Sequence, residues 1–434
     1  MTTQLQIARN NIVSEQVKQV GISENVDPEL IRKELAAGRL VIPANKLHLK
    51  TNLKPVGIGR VLTTKVNANI GASSIRSTIE EEIEKMQVAI DVGADAVMDL
   101  STGGNLDKTR EQLIANCSVS FGTVPIYQVI EKRSVEDINE KIILEVIEKQ
   151  AKQGVDFFTI HAGLLREHLP LIEKRVAGIV SRGGALLAKW MIHHSRQNLM
   201  YDMFDDLCDI MLEYDVCFSL GDGLRPGAIA DATDEAQLAE LRTLGELTAR
   251  AQEKGCQVMV EGPGHVPFNQ IEYNMKIQQE VCHGAPFYVL GPLVTDLGAG
   301  YDHITSAIGG TAAAYYGASF LCYVTPREHL GLPNLEDVRT GVVASKIAAH
   351  AGDVARGLKG AAERDKKLSI ARANLDWKVH LEESLDSKTA ERMHIEACKE
   401  IGMEELPSAD YCSMCGRDWC SVRINREIRE TAQK

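Results

Sequence analysis

Three cysteines crowd into nine residues near the C-terminus, in the run CSMCGRDWC, where Cys412, Cys415 and Cys420 are spaced C-x2-C-x4-C. Three thiolates on one short loop can hold three irons of a [4Fe-4S] cubane and leave the fourth iron open to an exogenous ligand. The amino and carboxylate groups of S-adenosylmethionine suit that position, and one-electron reduction then yields a 5′-deoxyadenosyl radical. The same residues also fit a structural zinc knot, with Cys398 or His394 as fourth ligand. Zinc sites usually use two C-x2-C pairs, and this chain has one, which favours the cluster.

A second group of residues could bind metal and anion. His265, in EGPGH, and His329, in PREHLGLP, each follow a predicted strand. Neutral imidazoles on neighbouring loops can share a divalent metal, although a single histidine reads equally well as a hydrogen-bonded structural residue. Glu261, four residues before His265, is a candidate base, substrate-positioning group or ligand. Ser181-Arg182-Gly183 and Asp222-Gly223-Leu224-Arg225 combine guanidinium forks with glycines that let backbone N–H groups approach a phosphate. They point to a phosphorylated small-molecule substrate, while glycine-rich turns after strands need glycine on their own account. Asn69, Met98, Tyr127, His161 and Tyr288 complete the candidates, each equally compatible with core packing.

These residues need a frame that gathers them. From about residue 75 to 350, short β-rich runs alternate with helical patterns. Strands are predicted at Ala96–Leu100, Val119–Val124, Asp156–Ile160, Gly178–Ser181, Val216–Leu220, Gln257–Val260, Phe287–Leu290 and Leu321–Val324. The first helix is predicted from Ser77 to Asp91, with Ser77 and Glu80 as a capping box and Ile79, Ile83, Met86 and Ile90 on one face. Eight strands with intervening helices over ~250 residues predict an α/β fold, a (β/α)8 barrel, with a doubly wound open sheet as the competing topology. Nearly every predicted strand ends in a polar or glycine-rich run, such as LGDGLRPG and VEGPGHVP, and a barrel would bring those ends to one rim. The expected organisation is an N-terminal segment over 1–70, a catalytic barrel over 71–350, and a helical C-terminal domain with the cluster-binding tail over 351–434.

The net charge of −12 argues against a nucleic-acid partner. No run of ~18 uncharged apolar residues predicts a membrane span, and the N-terminus lacks the apolar core of a signal peptide. Seven further cysteines (Cys117, Cys208, Cys217, Cys256, Cys282, Cys322 and Cys398) stand singly, as buried free thiols do in a reducing compartment, so the expected location is cytoplasmic.

The runs KVNANIG, MDLSTG, GTVPIYQ, FTIHAG, GIVSRGG, FSLGDGLRPG, EGPGHVP, YDHITSAIG and CSMCG, with YVTP…EHLGLP, resemble the phosphomethylpyrimidine synthase family, radical enzymes of thiamine biosynthesis. The resemblance extends from about Ala44 to the C-terminus. It implies a barrel, a homodimer, a [4Fe-4S] cluster with S-adenosylmethionine, an electron donor, a divalent metal given as zinc, and 5-aminoimidazole ribotide as substrate. By motif it implies substrate contacts at Asn69, Met98, Tyr127, His161, Ser181, Arg182, Gly183, Asp222, Gly223, Leu224, Arg225, Glu261 and Tyr288. It implies metal at His265 and His329, and the cluster at Cys412, Cys415 and Cys420.

The chain departs from the family pattern in a few places. RDWCSV follows CSMCG where the thiamine enzymes read PKFCSM, CHGAPFY replaces CHEAPFY at Gly284, and DLGAGYDH replaces DIAPGYDH at Leu297-Gly298-Ala299. In these changes it is similar to the paralogous 5-hydroxybenzimidazole synthases, which use the same ribotide for the lower ligand of anaerobic cobamides. The thiamine pyrimidine is the alternative product. A metal-dependent barrel lyase or hydrolase with a structural zinc tail is the rival from another class.

Overall fold

The computed structural model describes residues 2–72, 77–400, 411 and 414–432. The chain forms two compact units, Met1–Ala355 and Arg356–Lys434. In the first, eight parallel strands close into a barrel: β1 (Lys65–Ile70), β2 (Ala96–Asp99), β3 (Ser120–Thr123), β4 (Phe157–Ile160), β5 (Cys217–Leu220), β6 (Val258–Gly262), β7 (Phe287–Leu290) and β8 (Phe320–Cys322). Closure comes from β8, which pairs with β7 on one side and with β1 on the other, Phe320 standing opposite Lys65. Helices join successive strands, so the architecture is the (β/α)8 barrel expected from the alternation.

Seven of the eight predicted strands overlap barrel strands, and one does not. Residues 178–181 form no strand. Gly178 turns into the left-handed region (φ 65°), and Ser181 caps the helix Arg182–His194 by accepting the Gly184 N–H on its hydroxyl. The missing strand is β1, inside the stretch assigned by sequence to the N-terminal segment. Its sequence, KVNANI, sends Val66 and Ala68 outward into a core with the surrounding helices, while Asn67 and Asn69 point to the barrel interior. Polar residues on its inner face hid it from a search for apolar runs. The first helix starts slightly later than predicted, at Ile79–Asp91, with Thr78 and Glu81 as its capping box. Ser77 has φ 83°, which lies outside the extended conformation of an N-cap, and its hydroxyl bonds Glu82 instead.

The N-terminal segment covers the end of the barrel where the strands begin. Asp156, directly before β4, accepts the N–H groups of Asn45 and Phe121 at 2.7 Å each and pairs with His48 Nδ1 at 2.7 Å. Gln257, directly before β6, accepts the Ile42 N–H at 2.7 Å. Asp215 accepts the Gln4 N–H at 2.8 Å. The barrel interior is packed: Phe320 contacts Phe157 edge-on at 6.4 Å and Tyr288 at 4.3 Å between centroids.

The second unit is helical, with Ala361–Ala373, Trp377–Glu382, Ser387–Glu400 and Ser421–Ala432. Trp377 stacks on His394 at 4.1 Å, and the buried Cys398 thiol lies 3.8 Å from His394 Nε2. Among the described residues no helix is long and apolar enough to cross a membrane.

Candidate active site

Where the strands end, two adjoining cavities of about 490 and 120 Å³ open at the mouth of the barrel, sharing Asn69, Arg182 and Arg225. Strand register builds the smaller one. Asn69 on β1 stands opposite Met98 on β2, and Glu261 on β6 stands opposite Tyr288 on β7. All four line the smaller cavity with Tyr127, His161, Arg182, Asp222 and Arg225.

The side chains are held by hydrogen bonds from the strands beside them. Asn67 Nδ2 donates to the Tyr288 hydroxyl and to Asn69 Oδ1, both at 2.7 Å, and Asn69 Nδ2 lies 3.1 Å from Cys322 Sγ. Burial pushes the Cys322 thiol up to about 12 and raises the Tyr288 phenol as well, so this wall is neutral. Glu261 Oε1 accepts from Thr159 Oγ1 and Ser219 Oγ, both at 2.7 Å. Burial raises its pKa, with those two hydroxyls and Arg225 opposing.

His161 is buried, with Nε2 3.1 Å from Ser181 Oγ. Burial, reinforced by the positive charge of Arg225, lowers its pKa to about 3, so the imidazole is neutral at physiological pH. Helix Arg182–His194 begins against this ring. A Cβ on Gly183 would lie 2.4 Å from it, so only glycine fits. The Arg182 guanidinium lies 4.6 Å from the centroid of the Tyr127 ring. Arg225 reaches Asp222 Oδ1 at 3.4 Å, and burial raises Asp222 well above the usual carboxylate range against that attraction.

Four of the candidate substrate contacts line neither cavity. Ser181 and Gly183 shape the helix start. Leu224 is fully buried, and its N–H already serves the Glu240 carboxylate at 2.6 Å. The Leu224 donor is therefore occupied within the protein.

His265 and His329 line the larger cavity, their ring centroids 5.3 Å apart. His265 Nδ1 pairs with Asp296 Oδ1 at 2.7 Å, and His329 Nδ1 faces Asp302 Oδ2 at 3.7 Å. Among the described residues no third histidine, cysteine or carboxylate joins them in a metal-holding group. Of the tail cysteines, Cys415 is exposed, Cys420 is buried just before the helix Ser421–Ala432, and Cys412 lies outside the described residues.

Sequence reasoning missed Asn67, Thr159, Ser219 and Cys322 at the mouth, and Asp296, Asp302 and Glu240 behind it. The signal for two of them was period two along a strand: Asn67 precedes Asn69, and Thr159 precedes His161, by two residues.

A closed parallel barrel whose polar side chains gather at the C-terminal ends of its strands defines a barrel enzyme. Residues 3–427 match the family described as the Radical SAM ThiC family, and the chain belongs to it. It is thus a radical S-adenosylmethionine enzyme of the thiamine pyrimidine synthase family, and membership implies a [4Fe-4S] cluster with S-adenosylmethionine. Among solved structures it matches a dihydropteroate synthase from Stenotrophomonas maltophilia at 15% identity, covering 66% of this chain and 92% of that one, with a TM-score of 0.38. The Yersinia pestis dihydropteroate synthase matches at 14% identity, with 66% and 92% coverage and a TM-score of 0.37. Both are too distant to bear on function.

Proposed function

We propose that the chain converts 5-aminoimidazole ribotide to 5-hydroxybenzimidazole, acting as a carbon–carbon lyase. Substrate would enter the smaller cavity. Arg182 and Arg225 offer charge-assisted donors to a phosphate beside the start of a 13-residue helix. The neutral wall of Asn69, Met98 and Tyr288 suits an uncharged heterocycle. Cys412, Cys415 and Cys420 would hold the cluster, and S-adenosylmethionine bound there supplies a 5′-deoxyadenosyl radical on one-electron reduction.

The histidine pair fits a divalent metal, zinc in our reading. Asp296 on His265 Nδ1 leaves the Nε2 of that ring as a donor, and two imidazoles on one tetrahedral ion have centroids about 5 Å apart, against 5.3 Å here. We further propose a homodimer, because Ile304, Ile308 and Tyr315 form an exposed apolar stripe on helix Asp302–Tyr316.

The observation that carries the choice of product is the position of Leu297-Gly298-Ala299. This departure sits in the loop after β7, next to Asp296, whose carboxylate holds His265 and accepts the Ile229 N–H. The departure thus adjoins the support of the mouth and leaves the candidate ligands unchanged. Gly284 carries no such weight. It lies at the opposite end of the barrel, in the turn entering β7, with φ 76° and its Cβ position 3.1 Å from the Arg39 side chain. Glycine there relieves backbone strain, far from the substrate rim. The unchanged metal and cluster motifs keep hydroxymethylpyrimidine phosphate as the second reading. Expression in a thiamine-pyrimidine auxotroph separates the two: the proposed enzyme leaves the strain dependent on added pyrimidine, and growth without it supports the second reading.

A further inference from the structure

Glu240, on the helix Glu235–Lys254, is 1% exposed. Its Oε2 accepts the Leu224 N–H at 2.6 Å, and the Gly223 N–H faces the same carboxylate. Its Oε1 has no hydrogen-bond partner among the described residues, and neither has Asp222 Oδ2, although Asp222 is only 7% exposed. Both residues, together with Glu261, line a cavity of about 10 Å³ behind the mouth. A cavity of roughly that size holds one water, provided polar groups face it. Gln237 and Asn274, on the same wall, are already bonded to each other at 2.6 Å.

Three carboxylates on one small buried space cannot all ionise without a large penalty, and of the three Glu261 alone already accepts two hydroxyl hydrogen bonds on one oxygen, from Thr159 and Ser219. Burial pushes Glu240 up to about 8, with the Leu224 and Gly223 N–H groups, Arg175 and Arg225 opposing. Asp222 is raised by burial, by Glu261 and by Glu240 itself, against Arg225. Arg175 is already paired with Asp234 at 2.6 Å, which weakens its hold on Glu240.

We propose that Glu240 and Asp222 hold one proton between them across a water in this cavity, and that Glu240 thereby positions the Asp222–Arg225 loop that meets the substrate. The positioning half rests on the functional reading above; the shared proton does not.

Two variants of the reconstituted full-length enzyme test this. Glu240→Gln keeps an acceptor oxygen for the loop N–H groups but cannot ionise, and Glu240→Ala removes both properties. Infrared titration of the wild type should show a protonated-carboxyl band that persists at neutral pH and fades as pH rises through about 8. Glu240→Gln should lack it, and an unchanged band in that variant overturns the shared proton. Calorimetry with aminoimidazole ribotide reads the positioning. Wild-type affinity should weaken as pH rises through about 8, and the Glu240→Gln profile should be flat there. Below that pH, Glu240→Ala should bind about tenfold more weakly and Glu240→Gln within about threefold of wild type. Wild-type affinity in a folded Glu240→Ala protein overturns the positioning role. A wild-type enzyme that binds no ribotide overturns the functional reading and that role together, while the infrared band still decides the proton.

Discussion

His161 sits where an aqueous imidazole would titrate near neutrality, yet burial and the neighbouring Arg225 charge hold its pKa down at about 3. A neutral ring can accept a proton or a hydrogen bond without repelling the two arginines beside it. The same shift has a stability consequence. The unfolded chain binds this proton at the ordinary value of 6.5 and the folded chain only near 3, so the contribution is complete above 6.5 and is lost as pH falls toward 3. Thermal unfolding of His161→Asn should show a shallower acid loss than wild type across that window; parallel curves would remove His161 as the cause. At the same scale, Arg182→Ala and Arg225→Ala should weaken ribotide binding by about 1.5–3 kcal/mol, the loss of a charge-assisted hydrogen bond, while S-adenosylmethionine binding changes less. Equal affinity of both variants for ribotide and for its dephosphorylated riboside would show that they do not hold a phosphate.

The loops after β6, β7 and β8 bring together residues far apart in sequence: His265, Asp296, Asp302 and His329. Because both imidazoles would hold one ion, His265→Ala and His329→Ala should each lower the bound divalent metal to a similar extent. Elemental analysis of the purified variants checks this, and full metal content in both would eliminate the two-histidine site.

The alternation of strands and helices was legible because buried apolar runs such as Phe157–Ile160 alternate with helices that carry caps such as Asp234. The inward face was harder to read. Asn67 and Asn69 made β1 look like a loop, and GIVS looked like a strand although Gly178 and Ser181 interrupt it. Polar strand ends marked His161, Glu261 and Tyr288 as candidates, and these converge on one cavity. Asp296, Asp302 and Glu240 carry no such mark, since their partners are fixed only when separate loops and helices come together. The left-handed turn at Gly284 was invisible for the same reason: nothing in CHGAPFY says which end of the barrel it occupies.

At the scale of the molecule, the cluster motif and the barrel belong to different compact units. Cys415 and Cys420 lie in the Arg356–Lys434 unit, outside the packed barrel core. Replacing Cys412, Cys415 or Cys420 with Ala should therefore abolish 5′-deoxyadenosine formation while leaving the melting temperature of the barrel nearly unchanged. A variant with full activity would refute the cluster assignment. The central claim is the product, and it is tested most directly by mass spectrometry of the anaerobically reconstituted enzyme supplied with aminoimidazole ribotide, S-adenosylmethionine and a reductant. The proposed function predicts 5-hydroxybenzimidazole. Clean formation of hydroxymethylpyrimidine phosphate would contradict it.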